Sequence, residues 1–316
     1  MTLPIDYADV EAAAVRIAPY VHRTPVFTST TLDHQLGASV FFKAENLQKV
    51  GAFKARGATN AVLQLPDDVA GVVTHSSGNH GQAVAYAAAI RDLPAWIVVP
   101  RTAPALKIEA IRSYGAEIVL CDHADRETAA ADVIERTGAT LVHPFDDPKV
   151  IAGQGTATIE LIDQVGALDV IVAPIGGGGL LSGAATVAAA QQPAIPAIGA
   201  EPFAVDDAFR SLQSGQRMPG VVDPVTLADG LLTGIGARPF AILTAHGADI
   251  IRVTETSILE AALFFLQRMK LVVEPSGATP LAALRTEPER FSGLRVGVII
   301  SGGNTDLSWL EAAHRL

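Results

Sequence analysis

The stretch DVIVAPIGGGGLLSGAATVAAA, residues 169–190, constrains this chain more than any other. An apolar strand runs into Gly176, Gly177, Gly178 and Gly179 and then directly into a small-residue helix. Four glycines let the backbone approach a ligand and aim successive N–H groups at it, and the helix start adds partial positive charge, so the junction reads as a phosphate cup. It lacks the GK[ST] ending of a nucleotide-triphosphate loop and departs from the dinucleotide fingerprint, which implies a phosphate on something smaller than ATP or NAD. The alternative is a flexible strand-to-helix turn with no ligand, at the conformational cost that four glycines carry.

The same strand-to-helix pattern recurs along the chain. SVFFKAE, GVVTH, AWIVVP, AEIVLC, TLVH, DVIVAPI, PAIGAE, DIIRV and RVGVIIS read as strands; HGQAVAYAAAIRD, APALKIEAIRSY, RETAAADVIERT, LLSGAATVAAAQ and ETSILEAALFFLQRM read as helices. This alternation predicts an α/β chain with mostly parallel open sheets and helices on both faces, where ligands collect at the carboxyl ends of strands. Residues 71–146 make a small substrate-binding lobe, inserted between 1–66 and 148–316, which form a larger one; a cleft between the two follows. The segment 206–240, with scattered Gly and Pro, reads as an irregular excursion.

With 316 residues, 49% of them hydrophobic, the chain buries a substantial core. Lys plus Arg (23) against Asp plus Glu (33) gives a net charge of −10, which argues against nucleic acid or an anionic membrane and favours a small-molecule partner. The start, MTLPIDYADVEAAAVRI, carries acidic residues and no uninterrupted apolar run, so neither a secretory signal nor a membrane anchor is expected; the expected setting is the cytoplasm. The lone Cys121 reads as a buried structural residue.

Three further motifs carry chemistry. In VGAFKARG, Lys54 opens a helix with Phe53 before it and no acid adjacent. That setting suits a nucleophilic amine that sheds its proton near neutral pH, or else a snorkelling surface lysine. THSSGNHGQAVAYAAA places Ser76, Ser77, Asn79 and His80 at a helix start, a surface for a carboxylate or else an ordinary N-cap. VIISGGN ends a strand in Ser301, by itself no more than a turn. Together, an amine, a phosphate cup, a carboxylate loop and a strand-end serine match what pyridoxal phosphate requires.

FFKAENLQKVGAFKARGA, THSSGNHGQAVAYAA, HPFDDPKVIAGQGT, PIGGGGLLSG and SGGN, in that order, resemble the fold type II (β-family) pyridoxal-phosphate enzymes over nearly the whole chain. Within that family the resemblance is to the serine racemase and serine/threonine dehydratase group, which includes 3-hydroxyaspartate dehydratases. It implies a small domain inserted in a large one. It also implies that Lys54 holds the cofactor as an imine, that Phe53 and Asn79 flank the ring and its 3-hydroxyl, and that Gly176 to Gly179 with Leu180 hold the phosphate. Ser301 then faces the pyridine nitrogen, and Ser76, Ser77, Asn79 and His80 bind the substrate α-carboxylate. A serine there leaves the ring neutral, a weaker electron sink that suits α,β-elimination.

The expected activity is loss of water from L-serine, L-threonine or 3-hydroxyaspartate to give a 2-oxo acid and ammonia, with racemisation as the alternative and a catalytically silent amino-acid-binding protein as another class. Ser77 matches the acid-base group of serine racemases on the face opposite the lysine, whereas HPFDDP, with Phe145, resembles the dehydratases. Arg126 aligns with an arginine able to take a second substrate carboxylate, or is a solvated helix-start residue; Thr233 in ADGLLTGIG is expected to line the same pocket. Glu201 and Asp207, with the Val205 carbonyl, match an Mg or Ca site of metal-dependent relatives, the alternative being two exposed acids at a strand end. A homodimer is expected.

Overall fold

Two parallel sheets, each covered on both faces, organise the computed structural model, which describes residues 3–76, 78–101, 103 and 105–313. In chain order the elements begin with α1 (Tyr7–Ile17), β1 (Val26–Phe27), α2 (Thr30–Leu36), β2 (Ser39–Ala44) and α3 (Lys54–Val62). There follow β3 (Val72–His75), α4 (Asn79–Ile90), β4 (Ala95–Pro100), α5 (Ala105–Arg112), β5 (Glu117–Cys121), α6 (Arg126–Thr137) and β6 (Thr140–Leu141). The remainder is α7 (Pro148–Val165), β7 (Val170–Pro174), α8 (Gly179–Ala189), β8 (Ala197–Pro202), α9 (Asp207–Ser214), α10 (Ala237–Ala245), β9 (Asp249–Val253), α11 (Glu255–Phe264), α12 (Pro275–Thr286), β10 (Arg295–Ile300) and α13 (Leu310–Ala313).

The six-stranded sheet has the order β1-β2-β10-β7-β8-β9, and the four-stranded sheet, drawn wholly from residues 72–141, has the order β5-β4-β3-β6. Every pairing is parallel except β1 with β2. Alternation of side chains explains why the central strands are apolar throughout. Val170 and Val172 of β7 join Phe42, Val298, Leu281 and Phe265 on one face, while Ile171 and Ala173 join Leu161, Leu181, Leu243 and Ile299 on the other. The small sheet does the same: Val72 packs toward α4, Val73 toward α6.

Helix α3 belongs by sequence to the first segment, yet Ala55, Ala58, Ala61 and Val62 are buried in one cluster with Val72, Ile97, Val84 and Ala87 of the small sheet. Its first residue, Lys54, therefore sits where the two sheets meet. Some elements escape the periodicity reading. Helix α12 starts on Pro275 and contains Pro280, so its composition resembles a loop, although Pro in a first turn is well tolerated. The stretch read as irregular opens with helix α9, and turns follow as far as Gly236. Helix α11 stops at Phe264 and passes into a single π turn, Phe265–Met269, closed by Lys270 in the left-handed region.

Candidate active site

A cavity of about 950 Å³ opens at the carboxyl ends of β3, β7 and β10. It brings together Phe53, Lys54, Ser76, Asn79 and His80, the cup residues Gly176, Gly177, Gly178, Gly179 and Leu180, and also Ser301, Arg126 and Thr233. Ser77 lies outside the described residues. Loops after three separate parallel strands converge here, which is why motifs separated by over a hundred residues face one another.

Lys54 occupies the first helical position of α3. Its Nζ donates to the Pro144 carbonyl at 2.8 Å and lies 5.1 Å from the centre of the Phe53 ring. Burial brings its pKa from 10.5 down to about 8, against a smaller upward pull from Glu274. An amine so placed is substantially uncharged in mildly alkaline solution, the state in which it attacks an aldehyde.

The glycine cup owes its shape to packing as much as to flexibility. A Cβ on Gly177 would run into the Phe145 ring, and Gly178 holds a φ of 86° with Pro239 2.7 Å from where a Cβ would be. Helix α8 begins at Gly179, so the N–H groups of its first turn have no carbonyl of their own helix to reach. The cup thus fits a phosphate: donors are present, and any larger residue would fill the space. Ser301 also fits; its backbone carbonyl accepts from Phe53 N at 2.9 Å, leaving a hydroxyl that makes no hydrogen bond among the described residues.

Asn79 is held from both ends. Its Nδ2 donates to the Glu274 carboxylate at 2.9 and 3.2 Å, and its Oδ1 accepts from Asn304 Nδ2 at 2.9 Å. One amide N–H stays available to a ring hydroxyl. Gly78, not a serine, is the N-cap of α4, with no side-chain cap, while Ser76 Oγ accepts from Gly78 N at 3.3 Å. The ordinary N-cap reading is thereby set aside for the described residues.

Three histidines surround the lysine, and two of them were not singled out from sequence. His80 Nε2 lies 3.0 Å from the Val142 carbonyl. A carbonyl only accepts, so Nε2 carries the proton and Nδ1 is a bare, buried lone pair without a partner among the described residues. That lone pair cannot bind a carboxylate; only the backbone N–H of His80 offers a donor. Burial and the neighbouring Lys54 hold this imidazole well below its usual pKa, hence neutral. His143 has the opposite arrangement: its Nδ1 accepts from Asp146 N at 2.9 Å and Phe145 N at 3.4 Å. His75 packs edge-on against it at 5.7 Å, and burial together with the nearby Arg126 lowers the His75 pKa. Nothing in the local sequence marked His143, because its signal is a turn geometry.

Glu201 and Asp207 lie apart from the cavity and are buried, not exposed. Glu201 accepts from Ala208 N at 3.0 Å and Phe209 N at 2.8 Å; Asp207 accepts from Ile235 N at 2.7 Å. Burial, with Asp207 and Asp206 adding to it, pushes Glu201 up to about 8. Among the described residues no group of three or more His, Cys, Asp or Glu side chains gathers as a metal site. A cation here would rest on two carboxylates plus backbone oxygen, and the acids are in need of positive charge.

No helix among the described residues is long and apolar enough to cross a membrane. The model of the family described as "Pyridoxal-phosphate dependent enzyme" matches residues 17–302. The chain is 46% identical to a serine racemase of Dictyostelium discoideum over 309 residues, 95% of each chain. It is also 46% identical to a β-hydroxyaspartate dehydratase of Paracoccus denitrificans over 308 residues, 96% of this chain and 98% of the relative. The solved structure of a threonine deaminase from T.th. superposes with a TM-score of 0.92 at 45% identity, covering 96% of this chain and all of that one. The cup, the buried amine and these likenesses converge: the chain belongs to the pyridoxal-phosphate dependent enzymes of fold type II.

Proposed function

We propose that the protein is a dehydratase that removes water from a β-hydroxy amino acid, L-serine, L-threonine or 3-hydroxyaspartate, giving a 2-oxo acid and ammonia. The observation that carries this reading is the Lys54 amine, brought to about 8 by burial within a cavity that also contains the cup and Ser301. Similarity to a relative named β-hydroxyaspartate dehydratase supports it.

When bound, pyridoxal phosphate supplies an aldehyde for an amine and a ring that takes up electrons from the substrate α-carbon. Backbone N–H groups of Gly176 to Leu180 would hold its phosphate, Phe53 would pack on the ring, Asn79 would meet the 3-hydroxyl, and Ser301 would donate its hydroxyl hydrogen to the pyridine nitrogen, leaving the ring unprotonated. Lys54 Nζ, when it carries no cofactor, would be the base placed to take the α-proton. Ser76 and the N–H groups at the start of α4 receive the α-carboxylate, helped by the positive helix end. Arg126, which also lines the cavity, receives a second carboxylate where the substrate has one, and Thr233 is a further part of the lining.

An Mg or Ca ion on Glu201, Asp207 and the Val205 carbonyl belongs to the same proposal. It would act at a distance: Asp207 holds Ile235 N, the adjacent Gly236 N donates to the Gly177 carbonyl at 3.1 Å, and the ion thereby braces the phosphate cup. A cytoplasmic homodimer completes the proposal; sedimentation velocity at micromolar concentration would give the monomer mass if that part is wrong.

A second reading is racemisation, supported by the likeness to serine racemase and by Ser77, which the family resemblance makes the acid-base candidate. Incubation with L-serine, L-threonine and each 3-hydroxyaspartate diastereomer, with and without chelator, separates the two. The 2-oxo acid is expected to form faster than the D-amino acid; the reverse order would establish the racemase.

A further inference from the structure

His143 has no role in the proposed reaction, yet its ring lines the cavity and is held in one orientation by the turn it caps. Both neighbours of its Nδ1 are backbone N–H groups, those of Phe145 and Asp146, so this nitrogen must be bare and the proton of the neutral ring lies on Nε2. Nε2 makes no hydrogen bond among the described residues and is not sealed in protein, so it opens to the cavity the ring lines. The ring stands between two landmarks. On one side Phe145, 4.7 Å away, packs against the cup; on the other His75 leads toward Arg126. The next residue, Pro144, accepts from the Lys54 amine, so the backbone beside His143 is tied to the amine that takes the α-proton.

We infer that His143 is a specificity-determining residue that donates its Nε2–H to the oxygen on the substrate β-carbon. This rests on the proposed dehydration and names the group that reads the β-hydroxyl. The α4 start is taken by the α-carboxylate and His80 presents only a lone pair there, whereas His143 brings to the cavity lining a neutral N–H whose tautomer is fixed by the turn it caps. The ring positions the leaving hydroxyl and does not protonate it. Burial, with His75 and Lys54 adding to it, drops its pKa to about 4 against the pull of Asp146 and Asp147, so no second ring proton is on hand at neutral pH, and Nε2–H is itself too weak an acid to give up.

His143→Asn tests this, since the Asn carbonyl reproduces the bare Nδ1 for the turn and leaves nothing at Nε2. In the holoenzyme, affinities for L-serine and for L-alanine, which lacks the β-oxygen, are read from the change in cofactor absorbance. The expected result is about fivefold weaker L-serine binding, one neutral hydrogen bond of about 1 kcal/mol, with L-alanine within about twofold of wild type. His143→Gln, whose amide N–H reaches the Nε2 position, recovers the difference. In wild-type protein labelled with ¹⁵N-histidine, this ring shows a protonated Nε2 and bare Nδ1 from pH 8 to 5. Equal weakening of both ligands, or of neither, would overturn the inference, as would a proton on Nδ1. The binding arm is independent of turnover: wild-type protein that prefers L-serine over L-alanine in a His143-dependent way but makes no 2-oxo acid supports this inference and sinks the dehydratase.

Discussion

Lys54 and Arg56 stand two residues apart on α3, on opposite sides of the helix, and the fold treats their charges in opposite ways. Arg56 is fully buried, and every donor it has is answered. Its guanidinium binds Glu45 at 2.7 and 2.8 Å and Glu160 at 2.7 and 2.8 Å, and Glu160 also takes Lys43 at 2.6 Å. Two cations and two carboxylates close a neutral cluster linking β2, α3 and α7. The pairing raises the Arg56 pKa despite burial, and holds Glu160 below the usual carboxylate range. Lys54 has a carbonyl and an aromatic ring for neighbours and only Glu274 to oppose its desolvation, so its pKa falls. Burial lowers the Lys43 pKa as well, even with Glu160 beside it, so what sets Lys54 apart is an amine that lines the cavity and is held by a carbonyl in place of an ion pair.

The sharpest break of this contrast is in function. Lys54→Ala is expected to abolish turnover, by at least about 10³-fold, without lowering the midpoint of urea unfolding of the cofactor-free protein, since a desolvated amine is removed. Next in size, Glu45→Ala strands the Arg56 charge and is expected to remove about 3–5 kcal/mol of stability, measured by the same denaturation, because a lone buried ion is the expensive state. If Glu45→Ala proved as mild as a surface substitution, the cluster would not be closed as described. Gly177→Ala comes third: the methyl meets Phe145, and cofactor affinity, followed by equilibrium dialysis, drops by roughly tenfold or more for a side chain forced to move.

The last effect is spread over a range of pH. The folded pKa of Lys54, about 8, lies below its ordinary value of 10.5, so between those limits the unfolded chain binds more protons. Stability of the cofactor-free protein from this group therefore rises with pH from 8 to 10.5, and Lys54→Met flattens that slope. His143 acts in a lower window: with a folded pKa of about 4 against 6.5, it contributes stability above 6.5 that is lost as pH falls toward 4. A stability profile in which Lys54→Met left the alkaline slope untouched would contradict the desolvation account.

Much of this was legible before any fold was in hand. Strands β3, β4, β7 and β10 are apolar because both their faces are covered, and the cup announces itself by four glycines in a row. Helix α12 was hidden because prolines look like loop residues wherever they fall, and β1 because two residues carry no period. At the site, the motif residues came from their neighbours in sequence. Glu274 did not, since it matters through Asn79, far along the chain; His143 and Asn304 stand inside HPFDDP and SGGN, but their roles arise through the turn His143 caps and through the bonds of Asn304 to Asn79 and the Val50 carbonyl, which no sequence pattern carries. Side-chain tautomers were equally out of reach, because a histidine's lone pair is assigned by what it faces.

Borohydride reduction of the protein loaded with pyridoxal phosphate, followed by peptide mapping, tests the central contrast most directly. Lys43 and Lys54 are both withdrawn from water, but Lys43 is locked to Glu160, Gln164 and the Thr24 carbonyl. The predicted result is the reduced cofactor on Lys54, with Lys43 unmodified and turnover lost in proportion to labelling; a label on Lys43 or another lysine, with Lys54 free and activity intact, would contradict it.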